Sequence, residues 1–209
     1  VTAPRGRLIA LEGIDGCGKS TQVRLLADRL DAVATFEPGA TGLGASLRAL
    51  LLDRDRPPVA DRAEALLMAA DRAQHVEQVI VPALDAGRWV VTDRFAASTL
   101  AYQGYGRGLA IDQLDTLVTW ATGGLRPDLT VLLDLPVAVA AARRRGGIPD
   151  RMEAEGDAFL QRVADGFLDL AASAPGAWLV VDATGTVEDV AGRIAVAVAE
   201  LGGTDGDRR

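Results

Sequence analysis

Short runs of Val, Ile and Leu alternate along the chain with stretches in which apolar residues recur every three or four positions. The first pattern predicts strands buried on both faces and the second predicts amphipathic helices. Together they describe βαβ units around a parallel sheet, an α/β fold. Strands are expected near Leu8–Leu11, Ala32–Thr35, Trp89–Thr92, Leu129–Leu133 and Trp178–Val181. Helices are expected near Lys19–Leu30, Ala45–Leu52, Asp61–Asp85, Ala96–Tyr102, Ile111–Thr122, Val137–Arg144, Asp157–Ala172 and Val187–Leu201. Pro57-Pro58 and Gly104-Tyr105-Gly106-Arg107-Gly108 read as loops, and residues 202–209 as a disordered polar tail. Trp89, Trp120 and Trp178, in or beside core elements, read as packing residues.

With 209 residues, 49% of them apolar, the chain can bury one core, and a single domain over residues 1–209 is expected. No apolar run approaches the roughly 20 residues of a membrane span, so no membrane partner is expected. One cysteine, Cys17, cannot form an internal disulfide and points to a reducing cytoplasm. A formal charge of −7 argues against a nucleic-acid surface, which needs clustered cations. Among 22 basic residues only Lys19 is a lysine, so this one position has retained a compact ammonium where arginine serves everywhere else.

Lys19 closes Gly13-Ile14-Asp15-Gly16-Cys17-Gly18-Lys19-Ser20, which fits G-x-x-x-x-G-K-[ST], follows an apolar strand and opens an amphipathic helix. Glycines let successive N–H groups point at phosphate oxygens, and the helix adds its positive end. Lys19 is expected to reach the β and γ phosphates and Ser20 to ligate magnesium. Cys17 reads as a small buried spacer. A guanine-reading Asn/Thr-Lys-x-Asp segment is impossible with no asparagine and no second lysine, which leaves small-molecule kinases ahead of switch GTPases.

Further motifs follow in order: Glu12 through Thr21, Glu37-Pro38-Gly39-Ala40-Thr41, Ala70-Asp71-Arg72-Ala73-Gln74, Asp93-Arg94-Phe95, Ser98-Thr99-Leu100-Ala101-Tyr102-Gln103-Gly104, Arg126-Pro127-Asp128-Leu129 and Asp150-Arg151-Met152-Glu153. On these motifs the chain, from Gly13 to about Val198, resembles the bacterial thymidylate kinases. The resemblance implies a P-loop NTPase fold with strand order 2-3-1-4-5, a mobile lid over about 143–155 and a homodimer. It also implies Mg2+ and transfer of phosphate from ATP to dTMP, giving dTDP for dTTP synthesis. The alternatives are a kinase for another monophosphate such as dUMP, or a module that binds nucleotide without transferring phosphate.

The resemblance also distributes roles. Residues Gly13 to Thr21, with Arg143, hold ATP. Lys19, Arg94 and a lid arginine, Arg151 or else Arg144, neutralise charge in transfer, and Asp93 orders magnesium-bound water. Asp-Arg occurs repeatedly in the chain, but only Asp93-Arg94 directly follows an expected parallel strand, where α/β ligands sit. The dTMP site takes Asp15, Glu37, Pro38, Arg48, Met68, Arg72, Arg94, Ser98, Thr99, Tyr102 and Gln103. Asp15 accepts from the sugar 3′-OH or else caps its own turn, since a carboxylate inside an anion cradle needs a compensating partner. Arg72 reads the thymine carbonyl by resemblance, whereas pattern alone describes a solvated helix arginine. Tyr102 excludes a ribose 2′-OH or packs in the core. Met68 replaces the usual stacking phenylalanine, and Phe36 replaces an arginine. His75, the only histidine, is assigned no chemistry.

Overall fold

A computed structural model describes residues 5–144 and 151–203. The expected tail beyond Gly203 and the lid residues Arg145 to Asp150 lie outside the described residues. The sheet is parallel throughout, in the order β2-β3-β1-β4-β5. Its strands are β1 (Leu8–Glu12), β2 (Val33–Phe36), β3 (Val90–Asp93), β4 (Leu129–Asp134) and β5 (Trp178–Asp182). All five β1 residues are buried because helices cover both faces. One face packs Ile9, Leu11 and Val131 against Leu26, Phe167 and Ile194, and the other packs Leu8, Ala10 and Val90 against Ile80, Leu84 and Phe95.

Register sets the site. Asp93 pairs with both Leu11 and Phe36, so β1, β2 and β3 end side by side and release Gly13, Glu37 and Arg94 at one sheet edge. After β1 the chain crosses β3 to reach β2, and after β3 it crosses back over β1 to reach β4; α/β sheets open their ligand crevice where adjacent strands connect in opposite directions.

The helices are α1 (Lys19–Leu30), α2 (Gly42–Leu52), α3 (Asp61–His75), α4 (Val81–Asp85), α5 (Ala96–Thr99), α6 (Ile111–Ala121), α7 (Val137–Arg143), α8 (Asp157–Ser173) and α9 (Val187–Gly203). Helix α2 starts three residues earlier than expected because Thr41 caps it, accepting from Gly44 N at 2.9 Å. The segment expected as one helix over 61–85 is α3 and α4 joined by a π-helical turn, Val76–Ile80, just before Pro82. Proline lacks an N–H and crowds the carbonyl one turn back, and the widened turn accommodates both.

The structure corrects three expectations. Gly104 to Gly106 are helical, since α5 continues as a π-helical turn, Leu100–Gly106. These glycines serve close packing: a Cβ would lie 2.3 Å from Ile111 Cδ1 at Gly104 and 2.7 Å from Phe159 Cε2 at Gly106. Helix α9 runs two residues into the expected tail. Trp120 is 82% exposed, because Leu114, Val118 and Ala121 form the buried stripe of α6 and Trp120 projects off it. Among the described residues no helix is long and apolar enough to cross a membrane.

Candidate active site

Between β1 and α1 the glycine-rich loop turns back on itself. Gly13 and Gly16 have φ of 138° and 87°, and a Cβ on either would lie under 3 Å from a main-chain oxygen, of Leu133 and Ala140 respectively. Glycine alone satisfies both constraints. The Lys19 ammonium lies under the loop, donating to Gly13 O and Ile14 O at 3.0 Å each and standing 3.9 Å from Asp15. Ser20 Oγ donates to Asp93 Oδ2 at 2.6 Å. An open cleft above the loop is lined by Asp15, Gly16, Gly18, Lys19, Ser20, Thr21, Asp93, Arg94 and Arg143. The Ile14 and Cys17 side chains are buried beneath it, so only their main chain can face a ligand.

Arg94 is the hub. It follows β3 with φ of 71°, a left-handed conformation costly for arginine, and its N–H donates to Leu11 O. Nη1 donates to Ser98 Oγ at 3.1 Å and Gly13 O at 3.2 Å, while Nη2 donates to Asp15 Oδ1 and to the Tyr102 hydroxyl. Tyr102 in turn donates to Asp15 Oδ2 at 3.0 Å. The compensating partners required by the Asp15 carboxylate are thus supplied by the protein. Burial pushes that carboxyl up, but the charges of Arg94 and Lys19 outweigh it and hold Asp15 well below the usual carboxylate range.

Beneath Arg94 lies a fully buried carboxylate that sequence reasoning left without a role. Glu12 accepts from Phe95 N, Ser98 N and Ser98 Oγ at 2.9, 3.2 and 2.6 Å, and so fixes the hydroxyl that receives Arg94. Burial pushes the Glu12 carboxyl from 4.5 up to about 7 against the opposing Ser98 hydrogen bond and Arg94 charge. A carboxyl raised on folding binds more protons folded than unfolded between its two values. Its stabilising contribution is therefore present below the lower value and lost as pH rises through the upper one. Asp71, pushed up to about 6 by burial and the Glu37 charge, acts in the same direction. The thermal midpoint is expected to fall from about pH 5 to about pH 7.5, and to fall less in Glu12→Gln; an unchanged slope in that variant would remove Glu12 as the cause.

A second cavity opens on the far side of Arg94. All eleven residues expected at the acceptor line it: Asp15, Glu37, Pro38, Arg48, Met68, Arg72, Arg94, Ser98, Thr99, Tyr102 and Gln103, joined by Leu52, Asp71 and Met152. Arg72 is buried in α3, not solvated. It donates from Nε to Glu37 Oε2, from Nη1 to Thr99 Oγ1 and from Nη2 to Phe95 O, all at 2.8–2.9 Å. Three of its five N–H groups are so engaged. His75 holds the other Glu37 oxygen through Nδ1 at 2.9 Å and meets Thr35 Oγ1 through Nε2 at 2.6 Å. Because a carboxylate only accepts, Nδ1 carries hydrogen, and the histidine becomes an orienting strut for Glu37 and hence Arg72. Its spacing three residues after Arg72 puts both on one helix face, a signal that could have linked them. Arg48 donates to Pro38 O at 2.8 Å and lies over the Phe36 ring.

The arginines expected of the lid separate. Arg143 donates to Ala183 O at 2.9 Å, and the Arg144 stem packs beside Gly16, where a Cβ would sit 3.1 Å from Arg144 Cγ. Arg151 lines neither cleft; its Nη2 donates to the carbonyls of Asp53, Arg56 and Pro57 at 2.7–3.1 Å.

The two clefts share Asp15, Glu37, Arg48 and Arg94, so anions in the two would meet at the Arg48 and Arg94 guanidinium groups. The sequence model of the thymidylate kinase family matches residues 11–194. Thymidylate kinase of Cupriavidus necator is 48% identical over 194 residues, covering 89% of this chain and 94% of that protein. Thymidylate kinase of Synechococcus sp. (strain CC9902) is 54% identical over 193 residues, covering 87% and 91%. A crystal structure of thymidylate kinase from Ehrlichia chaffeensis superposes with a TM-score of 0.72 at 34% identity, covering 85% of this chain and 93% of that one.

Proposed function

The chain belongs to the thymidylate kinase family and transfers phosphate from ATP to dTMP, and from that premise we propose how its residues divide the work. The observation that carries the assignment is the junction at Arg94, where the loop cleft and the second cavity meet. ATP takes the loop cleft, with its phosphates on the amides of residues 13–21 and on Lys19, and Arg143 beside it. dTMP takes the second cavity, with its phosphate on Arg94 and Arg48, its sugar near Asp15 and Tyr102, and its base toward Arg72, Thr99, Gln103 and Met68. The two N–H groups of Arg72 that take no hydrogen-bond partner among the described residues suit a pyrimidine carbonyl.

A dTMP phosphate oxygen attacks the γ-phosphorus, the bond to the β,γ-bridging oxygen breaks and ADP leaves. The attacking oxygen is already anionic at neutral pH, so no general base is needed. Lys19 and Arg94 neutralise charge from opposite sides, and Arg144, next to Gly16, is better situated than Arg151 to add a third cation.

Mg2+ fits the head of α1. The Ser20 hydroxyl and Asp93 carboxylate are hard oxygen donors 2.6 Å apart, and two such groups suit an ion that keeps most of its shell as phosphate and water. Ser20 would hold it directly and Asp93 through water; when bound, it neutralises the triphosphate. The family's dimer accords with the exposed Trp120 and Leu66 on α6 and α3, helices that pack on each other. We read the chain as one kinase domain with 143–155 as lid, and the single buried Cys17 accords with a cytoplasmic setting.

ADP release with dTMP, dUMP, dGMP, AMP and thymidine ribonucleotide in turn tests the reading. dTMP is expected to give the highest kcat/KM, and Tyr102→Phe to narrow the preference for deoxyribose. Equal rates with every acceptor, or with none, would reject the acceptor assignment.

A further inference from the structure

Arg107 ends the helical turn that reads as a loop in sequence, and it lines neither cleft. Its guanidinium is nevertheless engaged on every edge. Nε and Nη2 donate to Glu64 Oε1 and Oε2 at 3.2 and 3.0 Å, Nη1 pairs with Glu155 Oε1 at 2.6 Å, and Nη2 approaches Met152 Sδ at 3.7 Å. Asp61 lies 3.7 Å away, and the guanidinium stacks 5.0 Å from the Phe159 ring centroid.

Glu64 is buried, and its Oε1 also accepts from Gln103 Nε2 at 2.9 Å. Gln103 and Met152 both line the acceptor cavity, as does Met68, one helical turn beyond Glu64 on α3. One side chain therefore joins three separate elements at the wall of the cavity: α3, the turn at 100–106 and the short 3-10 turn Glu153–Glu155. A buried carboxylate is tolerated only when paired, so the Glu64 contact is held firmly, and the planar fork transmits that orientation to its opposite edge. Glu155 is itself exposed, so its pair imposes no such geometry alone and takes its orientation from the buried edge.

We propose that Arg107 is a positioning residue for the dTMP site: gripping Glu64 with one edge and Glu155 with the other, it holds Gln103 and Met152 in place as walls of the acceptor cavity. The proposal rests on the assignment of that cavity to dTMP. Met152 then covers apolar surface that Met68, in place of an aromatic ring, leaves open.

Steady-state kinetics, with dTMP varied at saturating ATP and ATP varied at saturating dTMP, test it. Arg107→Gln is expected to raise KM for dTMP about tenfold while kcat and KM for ATP stay within about twofold of wild type. Glu155→Gln, which releases only the outer edge, is expected to raise it about threefold. Met152→Ala is expected to raise it as well, but to add little on top of Arg107→Gln, because both act on the same wall. Unchanged KM for dTMP in Arg107→Gln and Glu155→Gln overturns the proposal, as do losses spread equally over kcat and both KM values, the mark of a merely structural residue. If Arg107→Gln fails to fold, Glu155→Gln decides alone. Should Met68→Ala and Met152→Ala both leave KM for dTMP unchanged, the cavity assignment itself falls, a separate failure from one confined to Arg107.

Discussion

Lys19→Ala is expected to lower kcat by about a thousandfold or more while leaving the protein folded. A thousandfold corresponds to about 4 kcal/mol of lost transition-state stabilisation, the scale of a preorganised cation in a water-poor phosphate site. The structural loss is smaller. Lys19 donates to two loop carbonyls, and each such bond contributes about 1 kcal/mol against a total stability of about 5–15 kcal/mol. Removing the ammonium also takes away one of the two cations beside Asp15, so the anion cradle becomes less attractive to a triphosphate. Single-turnover ADP formation measured beside a thermal melt separates the two effects. Near-normal turnover in a folded variant would reject the phosphate role.

Arg94→Gln is expected to lower kcat/KM for dTMP by about four orders of magnitude, the largest single loss, because, of the two arginines bordering both clefts, Arg94 is the one that also holds Asp15, Ser98 and Tyr102. Arg94→Lys is expected to recover little of it. An ammonium cannot reproduce a fork that spans Ser98, Gly13, Asp15 and Tyr102. A second readout is independent of turnover. In the native protein Asp15 is held below its ordinary range chiefly by Arg94, against burial, so its pairing stabilises the fold above the unfolded carboxylate value of 3.8 and is lost as pH falls through the lowered folded value. In Arg94→Gln that contribution is missing at neutral pH. The gap in thermal midpoint between wild type and variant is therefore expected to be wide near pH 7 and narrower near about pH 2, well below the unfolded carboxylate value of 3.8. An equal gap at both values would mean that Arg94 does not set the Asp15 charge.

Much of this site is visible along the chain because the relevant constraints are local. A strand, a glycine-rich turn and a helix are contiguous in residues 8–30, so the anion cradle can be read from adjacent residue types and one retained lysine. Asp93 and Arg94 are legible for a similar reason: they directly follow a buried strand, and parallel strands deliver their ends to one edge. Resemblance then supplied the residues proposed for the acceptor, and these line one cavity.

What escaped the sequence depends on partners far apart in the chain. Glu12 is the last residue of an apolar strand, and its role exists only through Phe95 and Ser98, more than 80 residues away. His75 looks isolated until Glu37 and Thr35 approach it from β2 and the segment beyond. Glycines around Arg107 carry the composition of a loop, yet they permit α6 and α8 to pack closely against a helical turn. Arg151 sits in a lid motif, but three carbonyls of the connection after α2 hold it clear of both clefts.

By itself, then, the sequence determined the α/β class, the strand succession and the phosphate loop, since hydrophobic period, glycine and a cation at fixed spacing act over a few residues. Only the tertiary structure decided which charges meet: the pairing of Asp15 with Arg94, the burial that raises Glu12, and the grip of Arg107 on Glu64 and Glu155. Electrostatic energy depends on separation and burial in space, and neither is a function of distance along the chain.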